Sequence, residues 1–206
     1  MGVSFNDWKD RYTSRSDLSR FLVHLTKPNP EIGDEVDVLL KILNDGHLKG
    51  SGKEGFINGK NKAVCFQDVP LYSANQNILF EKELRRRKET GIKRYTATGI
   101  AIKREVVYNS GGRPVIYDDR EEAMKYLPEE EYWRIVDLKL KSEDQIVDWM
   151  HEREWRVKGD FYFKEKMAHV YILLGGKVRY RKFIKEADEE IIRKIGGITT
   201  MAPIIQ

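Results

Sequence analysis

Residues 151–156 read His-Glu-Arg-Glu-Trp-Arg, the densest run of chemically capable side chains in the chain. In an extended backbone, successive side chains alternate between faces. That would put Glu152 and Glu154 on one face and Arg153 and Trp155 on the other. Two carboxylates on one face, beside guanidinium groups, could stabilise a sugar cation or activate a nucleophile. The competing reading is a solvated strand edge laced with salt bridges.

A second candidate lies in the apolar run Arg-Phe-Leu-Val-His-Leu-Thr at 20–26. His24 and Thr26 would share one face of a strand, a polar pair among apolar neighbours. Buried without partners such groups are costly, so a side chain or a ligand must satisfy them. His47, His151 and His169 have no metal-ligand spacing with one another, which argues against zinc. Asp137-Leu-Lys139, taken with Asp118 or Asp119, has the pattern of a metal-dependent nuclease, two carboxylates holding a divalent ion while the Lys positions water. Lys82, Arg85, Arg86, Arg87, Lys88, Lys93 and Arg94 form the strongest electropositive run, partly neutralised by Glu81, Glu83 and Glu89.

These side chains need elements to hold them. Residues 20–26, 62–69, 97–103, 113–117 and 133–140 read as strands, with Pro28 and Pro30 ending the first and Pro70 the second. Val36, Leu39, Leu40 and Leu43 have helical spacing, with Asp34 and Glu35 at the start and Gly46 just past the end. A Gly/Lys/Asn-rich loop spans 49–62, a charged helix 78–89 and an acidic stretch 118–131. Ser142-x-x-Gln145 is a capping-box pattern opening a helix over 142–151. Strand 155–163, a β segment over 168–181 broken by Gly175-Gly176, and a helix over 184–195 complete the chain. The expected class is α+β with a mixed, mostly antiparallel sheet and short helices. There is no Gly-x-Gly-x-x-Gly and no phosphate-binding loop.

The 206 residues, 40% hydrophobic and 34% charged, suit a single globular domain over 1–206 with its core at about 20–195. The one cysteine, Cys65, excludes a disulfide framework and a Cys-rich metal site; it reads as a small core residue in a cytoplasmic protein. No apolar stretch approaches the ~18 residues of a membrane span, so no membrane association is expected. A net charge of +4 permits a nucleic-acid partner without requiring one.

Phe21-Leu-Val-His24-Leu-Thr26, Ile42-Leu-Asn-Asp-Gly46-His-Leu48, Ala63-Val-Cys-Phe-Gln-Asp-Val-Pro70-Leu71 and Glu152-Arg-Glu154-Trp-Arg156, in that order, resemble the AbiGi-like family of phage-resistance proteins. More distantly the chain looks like the DarT-type ADP-ribosyltransferases. The resemblance covers roughly residues 20–180. It implies a split sheet with NAD as substrate in its cleft, and transfer of ADP-ribose to a nucleic acid or a protein. It also implies a phage-defence or toxin–antitoxin setting with a cognate partner. On that resemblance His24 would hold the adenosine-side ribose, with the Leu25 backbone facing the nicotinamide amide and Thr26 nearby. Glu154 would be the carboxylate at the nicotinamide ribose and Glu152 would act on the acceptor. Tyr72 would lie against the nicotinamide. The nuclease, and a non-catalytic antitoxin or binding module, stand as alternatives.

Overall fold

The computed structural model of the chain describes residues 2–88, 95–141 and 146–204. A surface helix, α1 (Phe5–Thr13), opens it, capped by the Ser4 hydroxyl, which accepts from the Asp7 N–H. Phe21–Leu25 is β1. Helix α2 (Glu35–Asp45) starts where expected. The Asp34 side chain accepts from Val36 and Asp37 N–H groups, and the Asp37 side chain accepts from Asp34 N–H in return. It stops at Gly46, whose φ of 68° suits glycine. The short β2 (His47–Leu48) and β3 (Ala63–Gln67) follow.

Helix α3 (Leu71–Lys88) begins at Leu71 rather than Ile78. The Pro70 carbonyl accepts its first helical hydrogen bond from Ala74, since proline lacks only the donor that a helix start does not need. Then come β4 (Gly99–Lys103), α4 (Arg104–Asn109), β5 (Arg113–Pro114) and β6 (Ile116–Asp118). The acidic stretch forms α5 (Arg120–Tyr126), capped by Asp119, and a 3-10 turn that leads to β7 (Ile135–Asp137). The capping pair expected at Ser142 and Gln145 lies outside the described residues, and Met150–Glu152 is one 3-10 turn.

Strands β8 (Glu154–Lys158), β9 (Phe161–Tyr162) and β10 (Val170–Leu174) precede α6 (Lys177–Glu186) and α7 (Glu189–Lys194). The β segment expected over 168–181 therefore ends at Leu174, and Gly176, with φ of 150°, turns the chain into a helix. The single helix expected over 184–195 is two, because Ala187 is extended and Asp188 recaps the second. Strand β11 (Gly197–Thr200) closes the fold.

Seven strands form one sheet in the order β11-β10-β4-β1-β3-β8-β5. Only the β10–β11 junction is parallel, so the sheet is mixed and mostly antiparallel, as expected for the α+β class. One face carries Leu22, Phe66, Ile100, Ile102, Val157 and Ile172 against Val36, Leu39 and Leu43 of α2 and Phe183 of α6. The other carries Val23, Ala101 and Leu173 against Ala74 of α3 and Met201. Among the described residues no helix is long and apolar enough to cross a membrane.

Candidate functional site

The sheet is thinnest at its centre. β1 pairs with β4 over five positions and β3 with β8 over five, but β1 and β3 share only Val23↔Gln67. Where those strands part, the His24 Nδ1 donates to the Cys65 carbonyl at 2.8 Å, so a side chain does the work of a missing ladder bond. A carbonyl can only accept, which places the proton on Nδ1 and leaves Nε2 as an acceptor. Burial lowers the His24 pKa, opposed by that hydrogen bond, and keeps the ring neutral. Thr26 is buried with its hydroxyl donating to the Glu35 carbonyl at 2.8 Å. The polar pair seen in the sequence is thus satisfied by backbone groups.

Register fixes the faces. Val23, Gln67 and Glu154 stand opposite one another across three strands and share a face. His24 is the next residue along β1 and projects to the other face, its ring edge-on to Phe66 with centroids 5.9 Å apart. His24 and Glu154 therefore do not face each other across one side of the sheet.

The two glutamates differ in standing. Glu154 is 6% exposed and its carboxylate takes two hydrogen bonds from Arg156, at 2.8 and 3.3 Å. Arg156 Nη1 also donates to the Trp133 and Ile135 carbonyls, at 2.7 and 3.1 Å. The pair is closed on itself, and the Glu154 N–H donates to the Tyr117 hydroxyl at 2.7 Å. Burial opposes the Arg156 charge, but Glu154 beside it raises the guanidinium pKa overall.

Glu152 is open where Glu154 is closed. It ends a 3-10 turn and is half-buried, so it does not alternate with Glu154 along an extended strand as the sequence suggested. Arg153 between them is left-handed, with φ of 46°, an uncommon conformation for a long side chain. Its guanidinium donates to the Asp17 carbonyl at 2.9 Å, which ties the turn to the N-terminal segment. The turn nonetheless brings the Glu152 carboxylate to the Gln67 and Glu154 side. Gln67 Nε2 donates to it at 3.4 Å and the Tyr95 hydroxyl donates to the same oxygen. Burial pushes the Glu152 carboxyl up to about 7, opposed by the Tyr95 hydrogen bond and reinforced by the Glu154 charge. A carboxyl that exchanges its proton near neutrality suits general acid–base work. The charge of Lys27, just past β1, acts on both Glu152 and His24.

Tyr72 projects from the first turn of α3 and is 60% exposed. The aromatic residue at the carboxylate is Tyr95, ahead of β4, together with Gln67 and Tyr117 absent from the sequence assignment. Gln67 had left a trace, as the polar residue closing the strand Ala-Val-Cys-Phe-Gln. Tyr95 left none, because its hydroxyl meets Glu152 only through tertiary packing. Burial raises the Cys65 thiol pKa, which fits a core residue and not a nucleophile.

The nuclease carboxylates are engaged elsewhere. Asp118 and Asp137 stand opposite each other in the parallel β6–β7 pair. Asp118 accepts from the Tyr126 hydroxyl and Asp119 caps α5. Asp137 accepts from the Arg120 N–H and pairs with Lys139 at 3.1 Å. Among the described residues no three His, Cys, Asp or Glu side chains converge as metal ligands. No protein-family model, curated protein or solved structure matches the chain.

Proposed function

We propose that the chain is an NAD-dependent ADP-ribosyltransferase-like enzyme of a phage-defence or toxin–antitoxin system, acting on a nucleic acid or a protein. The observation that carries this reading is the parted β1–β3 junction, with neutral His24 spanning it and the protonatable Glu152 beside Gln67 of the same β3 strand. His24 and Glu154 lie on opposite faces and do not line one side of a cleft, so the reading rests on Glu152 with Gln67 and Tyr95 at its carboxylate. The nicotinamide ribose of NAD would lie at Glu152.

In that reaction the bond from the ribose anomeric carbon to nicotinamide breaks and its electron pair leaves with the nicotinamide. The ionised Glu152 stabilises the oxocarbenium-like state. The acceptor then bonds to the same carbon and gives its proton to Glu152. Burial raises the Glu152 pKa, and Glu154, closed on Arg156, adds to that effect. The nuclease alternative has less support, since its carboxylates serve as caps and strand-to-helix links.

The full chain incubated with radiolabelled NAD and cell extract tests this. Nicotinamide release with label transfer, falling at least about 100-fold in a folded Glu152→Gln variant, is the expected result. A folded wild-type protein that releases no nicotinamide overturns the reading and favours a binding or antitoxin module.

A further inference from the structure

Helix α3 faces inward with Leu71, Ala74, Asn75 and Ile78, and continuing that stripe by three and four residues gives Glu81, Lys82 and Arg85. The apolar stripe turns charged where it passes a cavity of about 290 Å³ at the strand ends of the sheet, near the start of β4 and the end of β10. Ile78, Glu81, Lys82 and Arg85 line that cavity from above, joined by Glu35 of α2 and Arg179 of α6.

Three cations against two carboxylates leave the lining positive. Arg179 pairs with Glu35 at 3.1 Å, and among the described residues neither Lys82 nor Arg85 has a carboxylate partner. Thr98, also in the wall, is fully buried with a hydroxyl that makes no hydrogen bond, a cost that a ligand group would remove. Helix α6 enters beside the cavity at Gly176 with no side-chain cap, so its first N–H groups add to the positive field. The volume lies at the small end for ligand pockets, roughly 300–1,000 Å³, which suits one phosphorylated sugar. Tyr95 lines the same cavity while its hydroxyl reaches Glu152.

We propose that this cavity binds a phosphate monoester through Lys82, Arg85 and Arg179, and that Tyr95 links its occupation to Glu152. Phosphate oxygens would take charge-assisted hydrogen bonds from the three cations, and the Thr98 hydroxyl and Glu35 would meet sugar hydroxyls. An occupant touching Tyr95 moves or polarises the hydroxyl that Glu152 depends on. The inference needs binding alone and does not rest on NAD turnover.

Calorimetric titration of the full chain with ribose 5-phosphate, ribose and inorganic phosphate reads the binding, and the Glu152 carboxyl carbon resonance reads the link. Ribose 5-phosphate should bind saturably and ribose should not. Phosphate binding as tightly as the ester assigns the site to the free anion, and weaker binding assigns it to the sugar phosphate. Lys82→Gln with Arg85→Gln should weaken binding about tenfold or more while leaving thermal unfolding unchanged. Should that variant misfold, Lys82→Gln alone, at an exposed helix position, gives the same comparison. Tyr95→Phe, measured at saturating ligand, should abolish the ligand-induced shift at Glu152. No saturable binding, equal binding in the folded variants, or a Glu152 resonance indifferent to ligand overturns the proposal. A failed transferase assay leaves each of these results standing.

Discussion

The Tyr95 hydroxyl donates to the Glu152 carboxylate across 57 residues of chain. The contact joins the segment ahead of β4 to the turn ahead of β8. It also separates the two glutamates by role, since the Glu154 carboxylate is taken up by its own guanidinium partner while its N–H donates to the Tyr117 hydroxyl. Glu152 keeps one edge toward Tyr95 and Gln67, and so toward anything that enters beside them.

Glu152 should therefore titrate near pH 7, as burial requires. Carbon-13 NMR of the side-chain carboxyl measures the midpoint. Tyr95→Phe removes the hydrogen bond that favours the charged form, so its midpoint should rise further. A wild-type midpoint between 4 and 5 would contradict the burial on which this site depends.

Stability should carry the same signature. A carboxyl whose folded pKa is raised stabilises the fold while protonated, fully below the usual 4.5, and that contribution is lost as pH rises through about 7. The span corresponds to at most about 3 kcal/mol, reduced by screening at a half-buried group to about 1–2 kcal/mol. Glu152→Gln mimics the protonated form and should be the more stable protein at pH 8, with the difference vanishing near pH 4. Urea midpoints at the two pH values check this; a variant less stable than wild type at pH 8 counts against it.

Much of this was visible in the residues themselves. Asp34, Asp37 and Gly46 mark both ends of α2 because caps act within a few residues, and the alternation of Leu22 with Val23 sets the two faces of β1. The Glu152–Glu154 relationship was misread for a physical reason. Period-two geometry assumes an extended backbone, and Arg153 instead takes a left-handed turn anchored on the distant Asp17 carbonyl. The opposite-face placement of His24 and Glu154 depends on the Val23↔Gln67 register, a pairing between strands that no local pattern encodes. Tyr95 and the cavity under α3 are likewise products of packing.

The Glu154–Arg156 pair yields a third prediction. Glu154→Ala leaves the Arg156 charge buried and uncompensated, which costs about 3–5 kcal/mol. Replacing both by apolar residues of similar size, as in Glu154→Leu with Arg156→Met, should recover most of that loss, although the Trp133 and Ile135 carbonyls lose their donor. Chemical denaturation of the single and double variants makes the comparison. A single variant within about 0.5 kcal/mol of wild type would show that the pair is not a closed structural unit.

Gly99 is the most constrained glycine next to the proposed cleft. It pairs with Leu25 in the β1–β4 ladder, and a Cβ there would lie 2.2 Å from the His24 carbonyl oxygen and 2.8 Å from the Leu25 Cα. Both neighbours are backbone, so neither can rotate away, and the strands would have to separate. Gly99→Ala should cost about 1–3 kcal/mol of stability. Widening that junction also shifts His24 against the Cys65 carbonyl, so the imidazole Nδ1 proton should exchange faster with solvent in the variant. Gly111 is the control: its surroundings are open, and with φ of 87° an alanine there costs only local backbone strain and leaves His24 untouched. Nitrogen-15 NMR of the histidine rings in the two variants distinguishes them, and identical His24 signals in both would mean that the β1–β4 approach does not position the residue.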